Sequence, residues 1–374
     1  MHWNDVIGQE SLKNLLQHRI ENDRIAHAQL FVGNHGYGTL PLALAYARGI
    51  ITHEHQNPEN AHLKLDKLVH PDVHFAYPVS TTPKVSSKPL SANFIEDWRK
   101  FVQLNPYGSS YDWMQHLGIE KKMGIINVHQ STEIVKSLTL KSFENGYKIM
   151  LIWMLDKMNA STANKLLKLL EEPPEKTVFI MVAESTDQLL STILSRSQII
   201  QVPPINRKTL AEELSKRKHI SIEHATTLAQ LSEGNYHEAL HLLKAEKQED
   251  FNQTQFMLWM RLCYTKKYFE LLKWVDGIAR LGRESQQNFL KYALHIFRES
   301  LMSNYGTPEM VHLTNSEHDF VAKFKPFINS ANALELNSIF DEAIYHVERN
   351  VHPKAIFLDL SLQLMKLVRM KPKS

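Results

Sequence analysis

Short, nearly unbroken apolar runs punctuate the first two hundred residues, with helix-period stretches between them. Ala28-Gln29-Leu30-Phe31-Val32 reads as a buried strand that ends at Gly33. Val73 to Val79, Ile149 to Leu155, Val178 to Ala183 and Gln198 to Val202 read as four more. Pro78 weakens the second, because proline has no N–H to give a ladder, and Pro203-Pro204 close the last. Apolar runs of this length suit strands buried on both faces. Their alternation with helical patterns predicts an α/β fold with a parallel sheet covered by helices.

Between the strands, Asn159 is predicted to cap a helix that runs through Glu172. Leu166, Leu167, Leu169 and Leu170 supply its apolar side, and Pro173-Pro174 stop it. Ser80 to Ser91 is rich in Ser, Thr, Pro and Lys and reads as an exposed loop, within an insertion near residues 80–120. After Pro204 the strand pattern stops. Thr209 to Lys218, Ile222 to Ser232 and Tyr236 to Ala245 read as three short helices, with Gly234 in the turn before the third. From about Phe251 the chain is helical by pattern, and no short-period repeat is visible. The expected organisation is an α/β domain over 1–204, a small helical lid over 205–247 and an all-α domain over 248–374. Methionines and aromatics of the last part fall at helical spacing and are expected to form core, not a cofactor box.

Gly33-Asn34-His35-Gly36-Tyr37-Gly38-Thr39-Leu40 lies between a predicted strand and a helix, where a phosphate-binding loop belongs. A working loop needs Lys after the last glycine for the β and γ phosphates, then Ser or Thr for Mg²⁺. Here Thr39 holds the first position and Leu40 the second. The glycines remain while both chemical groups are gone. The strand from Lys148 should end in acidic residues if it ordered magnesium and activated water. It ends in Trp153-Met154-Leu155-Asp156, so the two acidic positions hold side chains that neither ligate metal nor take a proton, and Asp156 comes three residues late. Two independent losses in one site predict no intrinsic ATP hydrolysis.

These stretches resemble the AAA+ subunits of bacterial clamp loaders. Val6-Ile7-Gly8-Gln9 is similar to their N-terminal box and Ile25 to Gly33 to their first strand. Asp156 to Asn159 and Ala163 to Pro174 are similar to their most distinctive block. Ile193-Leu194-Ser195-Arg196-Ser197 resembles their Ser-Arg-Cys motif, with Ser197 in place of Cys, and Asn350 to Lys354 a late motif of their C-terminal collar.

Within that family the gamma/tau members keep the ATPase residues and the delta-prime branch tends to lose them, so the losses select that branch. The resemblance implies a hetero-pentameric ring with gamma/tau and delta subunits that loads the sliding clamp on primed DNA. In that ring this chain is the rigid, non-catalytic member, and ATP is bound by its partners. It also implies that Arg196, with Ser195 beside it, reaches the ATP of the adjacent subunit as an arginine finger, although an arginine paired with a local carboxylate is the commoner arrangement. Glu171 and Glu172 precede two prolines at a helix end and are expected to be structural. Where family members carry an Arg in the small helical domain this chain has His237, and the four cysteines of their zinc module are absent, so no zinc is expected. The alternatives are an ATP-hydrolysing gamma/tau-like motor and a DNA-binding adaptor without such partners.

Composition narrows the picture further. Forty-three basic against forty acidic residues leave a net charge of only +3, with the basic residues spread along the chain. No concentrated basic surface announces direct DNA binding. The one cysteine, Cys263, forms no intrachain disulfide and fits a reducing compartment. His53, His55, His62, His70 and His74 cluster in a polar stretch, but no cysteine joins them and no paired ligand spacing appears, so they are expected to be surface histidines. The opening residues lack a basic start followed by an apolar run, and no stretch nears a membrane span of about 20 residues. A cytoplasmic, soluble protein is the expectation.

Overall fold

A computed structural model describes residues 1–53, 58–144, 146–307, 311, 313, 315–349 and 351–371. His55 and Asn350, singled out above, lie outside the described residues. The chain divides into two compact units, Met1–Leu243 and Lys244–Ser374.

The first unit is built on five parallel strands: β1 (Ala28–Val32), β2 (Val73–Ala76), β3 (Lys148–Trp153), β4 (Thr177–Ala183) and β5 (Gln198–Gln201), in the order β2-β3-β4-β1-β5. In register, Val32 stands beside Ala183 and Gln201, and Trp153 beside Val182. The carboxyl ends of β1, β3 and β4 therefore form one rim, where ligands of open parallel sheets bind. Alternate strand residues feed two cores. Phe31, Leu151, Trp153 and Ile180 join one, and Leu30, Ile152, Phe179 and Met181 the other. That two-sided burial is why the runs are nearly unbroken.

Around the sheet lie α1 (Glu10–Glu21), α2 (Thr39–His53), α3 (Pro58–Asp66), α4 (Ile95–Leu104), α5 (Ser110–His116), α6 (Val128–Thr139), α7 (Ala160–Glu171) and α8 (Ser191–Leu194). Asn159 caps α7 as its position predicts, its side chain accepting from the Thr162 N–H at 2.8 Å. Two strand readings need correction. The third strand stops at Trp153, not Leu155, because Met154 turns left-handed at φ +57° and opens a 3-10 turn over Leu155–Lys157. The second ends at Ala76, short of Pro78 and Val79, as the missing proline N–H dictates.

Three lid helices follow: α9 (Arg207–Lys218), α10 (Ile222–Leu231) and the start of α11 (Tyr236–Thr265). Leu210, Leu214, Leu228 and Ala239 centre their core. The third was expected to end at Ala245. It continues to Thr265 because no Gly or Pro breaks Lys244 to Asp250, a stretch of good helix formers.

The second unit is all helical, with α12 (Tyr268–Ala279), α13 (Arg283–Tyr305), α14 (Asn315–Phe324), α15 (Ala333–Glu348) and α16 (Pro353–Leu367). Trp259 stacks on Trp274 with centroids 4.8 Å apart, and Phe289, Phe340 and Phe357 close around them. Met260 and Met365 lie in the same core. Among the described residues no helix is long and apolar enough to cross a membrane.

Candidate functional site

The phosphate-loop sequence sits where the chain pattern put it, between β1 and α2 at the carboxyl rim of the sheet. Gly36 and Gly38 take φ of +82° and +96°, which only glycine adopts without strain. A Cβ on Gly36 would lie 1.8 Å from Asn235 Oδ1, so the loop is packed directly under the lid. Gly33 opens the loop from β1, its N–H donating to the Ala183 carbonyl. Thr39 and Leu40 are buried in the first turn of α2, where a cation and a metal-facing hydroxyl would otherwise stand.

Across the rim, Trp153 is 1% exposed and belongs to an aromatic cluster. Its ring centroid lies 5.1 Å from that of Trp98 and 5.8 Å from that of Phe101, both on α4. Trp113 of α5 joins them and donates its indole N–H to the Pro78 carbonyl. Met154 is equally buried. Asp156 turns away to a structural role, accepting the Glu184 N–H at 3.4 Å and pairing with Lys157 at 3.3 Å. Both acidic positions are thus filled with apolar volume.

The cleft between loop, rim and lid is filled as well. Pro106, Tyr107 and Gly108 from the insertion meet Trp153 and Met154 there, leaving a cavity of about 10 Å³. That is room for roughly one water. Small-molecule sites ordinarily measure about 300–1,000 Å³.

At its edge His35 Nδ1 pairs with Glu184 Oε1 at 2.7 Å. This hydrogen bond raises His35 above its ordinary value against the effect of burial, and it lowers Glu184. His237 of the lid bonds Asp112 of the insertion at 2.7 Å. Burial works to raise the Asp112 carboxyl, but the bonds from His237 and Ser109 outweigh it and hold it far below the carboxylate range. Tyr107, Asp112 and Glu184 were not foreseen. The one signal in the sequence was Ser109-x-x-Asp112, a capping box at the start of α5 that fixes Asp112.

Arg196 follows the short helix α8 and is half-buried. Its Nη2 pairs with Glu171 Oε1 at 2.5 Å, and its Nη1 donates to the Thr192 carbonyl at 3.0 Å and to Ser195 Oγ at 3.2 Å. Ser195 is exposed beside it. Arg196 is not among the residues that line this cleft and lies between α8 and β5.

Of the clustered histidines, all expected at the surface, His70 is instead buried and converges with Asp72 and Glu144, their potential ligand atoms within 4.8 Å of one another. The cluster is internally bonded. His70 Nδ1 accepts from the Asp72 N–H, Nε2 faces Glu144, and the Asp72 carboxylate accepts from the backbone of Phe143 and Glu144. His62 sits beside Arg48, its Nδ1 2.6 Å from Nη2.

A family model described as "DNA polymerase III, delta subunit" matches residues 8–206. The DNA polymerase III subunit delta' of Bacillus subtilis (strain 168) is 26% identical over 244 residues, which cover 64% of this chain and 60% of that protein. The subunit delta' of Escherichia coli (strain K12) is 25% identical over 213 residues, 56% of this chain and 61% of that one. The subunit tau/gamma of Haemophilus influenzae is 23% identical over 247 residues, 64% of this chain and 30% of its own. The match thus spans about three-fifths of the length of these delta' relatives.

Proposed function

The chain belongs to the DNA polymerase III delta-subunit family, and on that premise we propose that it is a non-hydrolysing, delta-prime-type member of a bacterial clamp loader. The observation that carries the reading is the filled nucleotide cleft. The loop has no Lys to reach the phosphates and no hydroxyl at the Mg²⁺ position, because Thr39 and Leu40 stand there. The acidic positions are Trp153 and Met154, packed against aromatics, and about 10 Å³ remains. Each of these opposes an ATP-hydrolysing motor. ATP is then bound by partner subunits, and this chain needs no nucleotide or zinc of its own.

In this reading the chain works in the cytoplasm, in a hetero-pentameric ring with gamma/tau and delta subunits. It meets the sliding clamp and primed DNA through that complex. Its chemical contribution is Arg196, which acts in trans on the ATP of the adjacent gamma/tau subunit. An arginine placed against the transferring phosphate neutralises charge that grows in the transition state, and is worth about 10³–10⁵ in rate at the site it serves. Arg196 suits that task. Its guanidinium reaches the surface, and its carboxylate partner, Glu171, is itself half-exposed. Exposed ion pairs contribute at most about 1 kcal/mol, so a phosphate can displace Glu171. The Thr192 and Ser195 oxygens hold Nη1 while Nη2 exchanges Glu171 for the phosphate.

The test is ATP hydrolysis by the reconstituted complex with clamp and primed DNA, comparing wild type with Arg196→Ala. A silent isolated chain and a large loss in the assembled mutant support the reading. Hydrolysis by the isolated chain refutes the dead site. A mutant complex as fast as wild type refutes the trans-acting arginine.

A further inference from the structure

The insertion that follows β2 has no assigned role, yet it supplies the three residues that fill the cleft. We propose that the segment Asn105–Asp112 is a built-in occupant of the nucleotide cleft, which bonds the lid to the α/β part of the first unit. A nucleotide bound in such a cleft touches the phosphate loop on one side and the lid on the other. Removing it without replacement would leave the lid a hinged flap. Here the chain provides the bridge itself.

Tyr107 is the centre of that bridge. It is 3% exposed and belongs to the lid's own hydrophobic core, alongside Leu210, Leu228 and Tyr236. Its ring stands edge-on to Tyr236 with centroids 4.9 Å apart. The hydroxyl accepts the backbone N–H of Ile7 at 2.7 Å, in the box that precedes α1. The same ring packs over the phosphate loop, since a Cβ on Gly38 would lie 3.3 Å from its Cε1. One side chain thus touches the N-terminal box, the loop and the lid.

Polar contacts repeat the connection around it. Asp112, fixed by its capping bonds to Ser109, bonds His237 of the lid. The Tyr236 N–H donates to the Gly36 carbonyl at 3.1 Å, and Asn235 Nδ2 donates to the His35 carbonyl at 3.0 Å. Loop carbonyl groups are therefore already paired with the lid at Asn235 and Tyr236, where α11 begins. Behind Tyr107, the Trp98, Phe101 and Trp113 side chains anchor the insertion on Trp153. Losing the acidic residue at Trp153 and gaining the insertion are two halves of one packing arrangement. The bridge holds the lid whether or not Arg196 acts in trans.

The experiment is hydrogen exchange on the full chain, read in the amides of 33–38 and 207–243, for wild type, Tyr107→Ala and His237→Ala. Tyr107→Ala empties a core shared by lid and loop and is expected to speed exchange in both segments roughly a hundredfold, with β1, β3 and β4 still protected. His237→Ala leaves that core intact and removes one bond. It is expected to speed the same amides about fivefold, and it keeps the test decisive if Tyr107→Ala does not fold. Unchanged exchange in His237→Ala, or loosening in Tyr107→Ala that spreads evenly over the whole unit, overturns the proposal. So does added protection of these amides in the wild type on addition of millimolar ATP, because the cleft would then accept nucleotide despite the segment.

Discussion

Arg196 Nη2 lies 2.5 Å from Glu171 Oε1, so the guanidinium proposed to serve a neighbouring subunit is held by a carboxylate of its own chain. Glu171 ends α7, and Arg196 follows α8, so two rigid elements set the distance. Both side chains keep contact with solvent, which caps the pair at about 1 kcal/mol. In a unit of this size that corresponds to no more than about 4 °C in melting temperature. Glu171→Ala is therefore expected to melt within that margin of wild type and to keep full ATP hydrolysis in the assembled complex, whereas Arg196→Ala loses it. A Glu171→Ala complex as inactive as Arg196→Ala would make the pair structural and remove the case for a displaceable partner.

Restoring one acidic residue will not revive the nucleotide site. Trp153 is buried against Trp98 and Phe101, so Trp153→Asp would replace an indole by a carboxylate with no partner among aromatic rings. Emptying such a position costs about 3–5 kcal/mol, and the buried charge adds to it. Urea unfolding should show a loss of at least about 3 kcal/mol for the first unit, with no ATP hydrolysis gained. A variant of wild-type stability would mean that the rim is more open than its packing indicates.

What the sequence made legible follows from how local each signal is. The strands were readable because burial on both faces leaves no polar position in Ile149 to Ile152 or Val178 to Ala183. Helix α7 was readable because Asn159 and Pro173 mark its two ends. The missing Lys and acidic groups were readable from spacing alone. Tyr107 was not, since its partners Ile7, Gly38 and Tyr236 are distant in sequence and only tertiary packing unites them. The end of the third lid helix was misread for the opposite reason, because no local breaker exists between Ala245 and Thr265. Glu171 was read as structural from its place before two prolines, and its pairing with Arg196 depends on α7 and α8 lying side by side.

The His35–Glu184 pair predicts a pH dependence of opposite sign at its two ends. His35 is raised from 6.5 by its bond to Glu184, so its contribution is complete below pH 6.5 and is lost as pH rises through the folded value. Glu184 is lowered from 4.5 by the same bond, so its contribution is present above pH 4.5 and is lost as pH falls through the folded value. The pair therefore stabilises most between those limits. Asp112, Glu238 and Lys157 lie near enough to bias the two groups. Both side chains are about one-third exposed, which keeps the effect small. Melting temperature followed upward from pH 6.5 should fall toward that of Glu184→Gln and then run parallel to it. A gap that does not change with pH would mean that the pair is not ionised in the folded chain.

Cys263 offers a direct reading of the second unit alone. It is the single cysteine in the chain and is fully buried on α11, where its Sγ donates to the Ser361 carbonyl at 3.7 Å. Burial pushes its thiol up to about 12. The thiolate is the reactive form, so both access and ionisation protect this sulfur in the folded state. A disulfide reagent at pH 8 is expected to modify the native chain only as fast as the Trp259–Trp274 core opens. Labelling should accelerate at least about a hundredfold through the urea transition of residues 244–374. Because no other thiol contributes, the labelling midpoint reports the stability of that unit separately from the first. Rapid modification in native buffer would show that the packing of α11 against α16 near Ser361 is breached without unfolding, and the Cys263 environment would have to be redrawn.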